Sequence, residues 1–480
     1  MSLIGTRNAR HDLGCSQAGQ PFHSCRLCLP VPLNGYLLGK GELNCLYLLN
    51  PVILSPHDDT ISMEEPIMMP YGIIALISAT LALGLVAVPA RGAGDPPNRF
   101  VQDRLVIGFW VDPPVDAKVE ERYQAIADAN FTLVLGGFGL GAYEKPQALC
   151  KKLGLKILVP WPADVPADRL PEDEPCWGYM LRDEPNAKDF PALRDKVAEV
   201  RKARPSKLAY INLYPNYANA DQLGAATYDE HVARFMDTVK PDVLSMDHYP
   251  TMKPGADSRE NYCANLEVLR KYALRDNVPF WNFFNCMPFG PHADPTESQL
   301  RWQIYTSLAY GAKGVMYFCY YTPFSDEFPK GGAIIGRDDR PTRHYEEAKR
   351  INAAIKNLGP TLMKLTSTGV FRVKPDDDAQ KAVAGTPIKA MTRADYDPPH
   401  DFLIGVFKHE DGRHAVLMNN YRHDYAAWPT VEFDVDFSKV IEVSKKTGNE
   451  APVLDDSPDM PGLQLSFDSG EGRLFLLPNP

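Results

Sequence analysis

Basic charge is in short supply in this chain. Its 51 Lys and Arg stand against 61 Asp and Glu, a formal net charge of −10 over 480 residues. With no cationic surplus to neutralise a row of phosphates, a nucleic-acid partner is not expected. Metal-ligand spacing is also missing. Cys25-x-x-Cys28 is half a zinc site whose second half occurs nowhere at the right separation, and there is no His-Glu-x-x-His run. No metal and no other cofactor is expected. The remaining cysteines after Cys45, namely Cys150, Cys176, Cys263, Cys286 and Cys319, are odd in number and lack compact spacing, so they read as small buried hydrophobes. No Ser-His-Asp arrangement suggests acyl transfer. The loop after the first strand, Asp112-Pro-Pro-Val115, cannot cradle a pyrophosphate, and Gly136-Gly-Phe-Gly-Leu-Gly141 follows the second strand without a helix opening on it.

Long hydrophobic runs are absent but for one. Residues 71–89 carry no charged side chain and end at Val88-Pro-Ala90, small residues at the −3 and −1 positions of a cleavage site. Residues 68–90 are therefore expected to be a signal peptide, or an anchor that holds the protein to a membrane. Either way the rest of the chain is expected outside the cytoplasm. Residues 1–67 show no periodicity and read as a disordered or mis-annotated leader, with Met63, Met68 or Met69 as the true start. Residues 91–104 read as a polar linker.

From Leu105 a rhythm begins. Apolar strands at 106–112, 131–137, 155–161, 177–183, 207–214, 242–249, 279–286 and 314–321 alternate with amphipathic segments such as Val119–Asn130, Phe190–Ala203 and Thr342–Leu358. Eight such units predict an α/β fold, a (β/α)8 TIM barrel over residues 105–360. A doubly wound open sheet is the alternative, but its glycine-rich loop is lacking. After Pro360 the pattern becomes short alternating runs divided by Asp, Gly and Pro, which predicts an antiparallel β-sandwich over 361–480.

In a barrel the C-terminal strand ends share one mouth. Those ends supply Trp110 and Asp112; Trp161; Arg182, Asp183 and Glu184; Asn212 and Tyr214; Asp247, His248 and Tyr249; Asn282 and Asn285; and Tyr320. Carboxylates among amides and flat rings suit glycoside cleavage, which needs one carboxyl protonated and another ionised, with aromatics to stack on sugar faces. A carbohydrate is thus the expected partner. Each residue also has a plainer reading. His248 is either a ligand-facing group or a hydrogen-bonded rim histidine. Trp110, Trp161 and Trp281 either face the mouth or fill the barrel. Arg182 either pairs with Asp183 or Asp247, or caps the rim.

The stretch from Leu105 to Pro360 resembles the barrel of the clan-A glycoside hydrolases, the β-galactosidase-type enzymes. The resemblance rests on Asp183-Glu184-Pro185 ending the fourth strand and on the segment from Glu297-Ser-Gln-Leu-Arg-Trp-Gln to Gly314-Val-Met-Tyr-Phe318. It implies that Glu184 is the general acid. The clan's nucleophile ends the seventh strand, where this chain has Trp281-Asn-Phe-Phe-Asn-Cys-Met287 and no carboxylate. Asp247, or Asp183, is the expected replacement. Glu297 is the other candidate, though its place behind Thr296 suits a helix N-terminus. A barrel that binds glycan at the cell surface without cleaving it is the alternative function.

Overall fold

The computed structural model describes residues 99–136, 143–162, 164–325, 327–328, 332–459 and 461–478. The leader and the apolar run of residues 68–90 lie outside them. Among the described residues no helix is long and apolar enough to cross a membrane.

Eight parallel strands form the first sheet: β1 (Val106–Phe109), β2 (Leu133–Leu135), β3 (Lys156–Pro160), β4 (Cys176–Asp183), β5 (Leu208–Leu213), β6 (Leu244–Asp247), β7 (Phe280–Asn285) and β8 (Gly314–Phe318). They neighbour one another in the order β1-β8-β7-β6-β5-β4-β3-β2. β1, β5, β6 and β7 are buried along their whole length, as strands covered on both faces must be. The remaining seam, between β1 and β2, is closed by one threonine. Thr132 N donates to Ile107 O at 2.8 Å, and Thr132 Oγ1 accepts from Ile107 N at 2.9 Å. A side chain thus completes the ladder where the backbone alone does not.

Around the barrel run α1 (Val119–Asp128), α2 (Glu144–Leu153), α3 (Phe190–Ala203), the single turn α4 (Ala220–Leu223), α5 (Tyr228–Val239), α6 (Arg259–Asp276), α7 (Glu297–Ala309) and α8 (Arg343–Leu362). Local chemistry fixes their starts. Thr227 and Thr296 accept backbone N–H groups at the heads of α5 and α7, and Thr296 with Gln299 forms a reciprocal capping box. Glu297 sits in the first turn of α7 and pairs with Arg301 at 3.1 Å and Arg350 at 2.8 Å, so it does not fold back into the mouth.

The barrel interior is filled by Leu133, Leu158, Tyr210, Trp281, Phe283 and Met316. Trp281 therefore packs the core, and its Nε1 donates to Gln102 Oε1 at 2.9 Å. That contact belongs to the floor. Residues 99–104, expected as the end of a linker, instead cover the bottom of the barrel, with Phe100 edge-on to Trp177 and Arg99 paired to Asp242 at 2.6 Å. The buried apolar ring of Phe100 holds the segment there.

The second domain is the antiparallel β-sandwich. Its strands are β9 (Leu365–Val373), β10 (Ile388–Thr392), β11 (Phe402–His409), β12 (His414–Asn420), β13 (Thr430–Phe433), β14 (Ile441–Val443), β15 (Glu450–Pro452), β16 (Leu463–Gln464) and β17 (Gly472–Leu477); one sheet has the order β15-β14-β17-β12-β11-β9, the other β10-β13-β16. The larger sheet's central pair, β11 (Phe402–His409) and β12 (His414–Asn420), is buried on both faces. Ile404, Val406, Val416 and Met418 face the sandwich core, while Leu403, Phe407, Ala415 and Leu417 join the barrel's outer core. α7 lies between the barrel and this sheet, which is why apolar residues surround it on all sides. Cys150, Cys176, Cys263, Cys286 and Cys319 are all buried.

Candidate active site

Three acids meet at the end of β4 and β6. The sequence brings them there through an irregularity. In β4, Tyr179 and Leu181 face the helices while Met180 faces the interior. A regular strand would next turn Arg182 inward. The pairing with β5 slips between Met180 and Arg182, so that Arg182 lies opposite Ile211 and Asp183 opposite Asn212. Such a bulge re-aims the side chains beyond it. Arg182 is exposed on the rim, 3.8 Å from Asp189, and Asp183 enters the barrel. Arg182 therefore makes no ion pair with Asp183 or Asp247, correcting one of the expectations above. It acts on Asp183 only through its charge.

Glu184 follows with φ +45°, a left-handed conformation that costs a non-glycine residue roughly 1 kcal/mol or more. Its N–H donates to Asn212 O at 2.8 Å, which holds the strained turn. Asn212 organises the rest. Its Nδ2 donates to Asp183 Oδ1 at 3.1 Å and to Asp247 Oδ1 at 3.0 Å, and its Oδ1 accepts from Ser245 Oγ at 3.0 Å. Ser245 in turn meets the Tyr210 hydroxyl at 2.9 Å. One amide nitrogen thus sets the spacing of two carboxylates within two hydrogen-bond lengths.

The electrostatics differ among the three. Burial, opposed by the Asn212 amide and by Arg182, raises Asp183 to about 6. Burial and then the charge of Asp183 raise Asp247, while hydrogen bonds from Asn212 and the Tyr249 side chain resist the shift. Glu184 is raised furthest, by burial, then by Asp247, then by Asp183. Its carboxyl has no hydrogen-bond donor and no cation among the described residues. A carboxylate without donors is the one that takes the proton when neighbours of like charge crowd it.

Tyr214 and Tyr249 border the three acids, whose charges, after burial, push both phenols up, that of Tyr214 to about 12. The ring of Tyr249 also leads into an aromatic cluster with Phe289 at 5.3 Å, His292 at 5.6 Å and Phe318 at 5.1 Å. Trp110 stands edge-on to Phe283 at 5.7 Å, half-buried at the top of the interior.

The structure turns the other expected mouth residues away. Asp112 is buried against the first two helices, where its charge raises Tyr123 and Cys150 after burial has done so. The Trp161 indole donates to Val165 O at 2.7 Å and lies under Lys196 of α3 at 4.1 Å. His248 is fully buried, held by Asn265 at 2.9 Å on α6, and burial lowers it to about 4, so it stays neutral. Asn282 bonds Tyr262 at 2.6 Å and Ser307 at 3.1 Å, between β7 and the helices. Asn285 staples two loops, donating to Thr251 O at 3.2 Å and accepting from Thr251 N at 3.1 Å. Tyr320 stacks on Phe109 at 4.5 Å within the outer core. Except for Asn285, the side chain falls on the outer face of its strand or loop, where packing and hydrogen bonds absorb it; Asn285 shares the inward face of Trp281 and Phe283 and is taken up by Thr251.

One residue was overlooked. Tyr217, in the loop after β5, lies edge-on to His248 at 5.0 Å and senses the charges of Asp247 and Glu184. It lies three residues beyond Tyr214, past the strand end, so a reading confined to strand ends passes over it. Among the described residues no group of His, Cys, Asp and Glu is placed to hold a metal ion.

No family model matches the sequence, and no curated protein matches it. Solved structures do. The chain is similar to a catalytic mutant of a GH42 β-galactosidase from G. stearothermophilus at 9% identity, covering 79% of this chain and 100% of that one, with a TM-score of 0.50. It is similar to β-galactosidase from Bacillus circulans sp. alkalophilus at 10% identity, over 78% and 99% of the two chains, with a TM-score of 0.49. Against β-galactosidase from the psychrophilic Marinomonas ef1 the identity is 12%, and the match spans 53% of this chain and 59% of that one at a TM-score of 0.40. At these identities the likeness is one of fold. That fold is a barrel of eight parallel strands followed by an antiparallel β-sandwich.

Proposed function

We propose that this protein is a glycosidase whose mouth cleaves an O-glycosidic bond by carboxylate acid/base chemistry. The observation that carries the reading is the unequal provision for the three acids. Asp183 and Asp247 share the Asn212 amide, while Glu184, half-buried on a strained backbone, has no donor. Glu184 therefore holds the proton at neutral pH and gives it to the leaving-group oxygen. Asp247, which shares the Asn212 amide and gives up its proton before Glu184 does, attacks the anomeric carbon or activates water on the opposite face. Tyr214, Tyr217 and Tyr249 contribute the surfaces that orient the sugar. A barrel that binds glycan without cleavage is the second reading, favoured by the absence of any carboxylate on β7 and by the use of Asn285 as a staple.

The test is a panel of aryl glycosides with Glu184→Gln beside the unaltered protein. The expected loss is about 10²–10⁴-fold in kcat on any substrate cleaved, with the melting temperature unchanged or raised. The alkaline limb of the pH–rate profile, where Glu184 gives up its proton, should vanish with it. Persistence of hydrolysis in that variant would sink the assignment. Proton NMR of the first anomer released distinguishes attack by Asp247 from its use as a base.

A further inference from the structure

A cleft of about 470 Å³ opens beside the mouth, large enough for one or two sugar units. Its walls come from the loop after β6, the loop after β7, and His423 of the sandwich, so both domains build it. The same two loops serve the mouth. Tyr249 approaches Asp247, and the next residues, Pro250 to Pro254, line the cleft. The two loops are tied together by Ala293 N donating to Thr251 O at 3.0 Å.

The charges of the cleft are unequally matched. Asp257 is taken by Arg259 at 2.7 Å. Asp294 is taken by Arg343 at 2.9 Å and by His344 at 2.7 Å. Lys253 is exposed and pairs with no carboxylate among the described residues; its ammonium meets only the Gly290 carbonyl. The floor carries Trp302, which is 2% exposed and whose Nε1–H has no hydrogen-bond partner among the described residues. That nitrogen is shielded from solvent, so the indole backs the cleft from beneath its surface. The His423 ring stands edge-on to that indole at 6.2 Å, adding an apolar face. The vacancy is thus at Lys253, and it is for an anion.

We propose that this cleft is a second saccharide subsite that takes an anionic sugar unit, a uronate or a sulfated residue, of a chain whose neighbouring unit lies in the mouth. The Lys253 ammonium meets the anion, and His423 borders the ring. The proposal rests on reading the mouth as a glycan site and narrows its substrate to acidic oligosaccharides.

Titration calorimetry on the Glu184→Gln protein, which would leave the ligand uncleaved, tests it with three tetrasaccharides: a uronate, its neutral hexose counterpart, and a sulfated form. The expected result is tighter binding of the uronate or the sulfated form than of the neutral one. Lys253→Met in the same background should raise that Kd at least tenfold and leave the neutral ligand's Kd unchanged. Equal affinity for the neutral chain, or no response to Lys253→Met, overturns the subsite. Lys253→Met alone should leave turnover of aryl glycosides, which fill only the mouth, as it was. If acidic chains bind through Lys253 while no aryl glycoside is cleaved, the hydrolase reading falls and the cleft stands. If cleavage occurs and Lys253 is indifferent, the cleft falls and the hydrolase reading stands.

Discussion

At the scale of the residue, Asn212 decides more than any acid it touches. A single primary amide has two N–H groups, and here each is spent on a different carboxylate, Asp183 and Asp247. The carboxyl left out is Glu184, and the proton goes where no donor is. The arrangement has a consequence for stability. Unfolded, Asp183 ionises near its ordinary 3.8; folded, it does so at about 6. Between those values the native state keeps a proton that the unfolded chain has released. The group therefore stabilises fully below pH 3.8, and that contribution is lost as pH rises through 6. Asp183→Asn, which keeps an acceptor for Asn212, should raise stability by on the order of 2 kcal/mol at pH 7.5 and by nothing at pH 3.5. Thermal melts across that range check the sign.

At the scale of the element, the strands were legible because each is a continuous apolar run, as a strand buried on both faces must be. Their bulges were not. The slip between Met180 and Arg182 depends on how β4 lies against β5, and no local signal in Met180-Leu-Arg-Asp183 marks it. It nonetheless decides which of Arg182 and Asp183 enters the barrel. The same blindness explains Asn282, Tyr320, Trp161 and Asp112. Naming the last residues of a strand says where they are along the barrel axis and leaves open which face they take. The seam between β1 and β2 is another element-level feature that composition hides. Thr132→Val keeps the shape and removes the oxygen that Ile107 N–H donates to, leaving that donor unpaired. A loss of about 1–3 kcal/mol is expected in denaturant unfolding, with faster amide exchange at Ile107 than elsewhere in the barrel.

At the scale of the whole molecule, the sandwich is part of the barrel's packing and not a pendant module. α7 is enclosed between β7 and the larger sheet, and Asn419 Nδ2 donates to Thr306 Oγ1 at 3.1 Å across the junction. β11 comes so close that a Cβ on Gly405 would stand 2.3 Å from the Ala309 carbonyl oxygen. Backbone on both sides cannot give way cheaply. Gly405→Ala should lower the melting temperature and, by pushing the sheet off α7, split one calorimetric transition into two. A single unshifted transition would show that the junction is looser than its geometry.

What the chain determined by itself is what repeats along it. Alternating apolar strands and amphipathic helices specify eight units, a change of period near Pro360 specifies a second, all-β domain, and acids after the fourth and sixth strands specify where chemistry is possible. What only the tertiary structure decided is orientation and company. Whether a carboxyl sits beside a donor, a like charge or a cation depends on side-chain directions set by bulges, by one left-handed residue and by packing between elements distant in sequence. Those contacts are made by residues tens to hundreds of positions apart, and a local pattern carries no record of them. Glu184 is an acid in the sequence; its burial beside Asp247 and Asp183, which only the fold supplies, makes it the most strongly raised of the three.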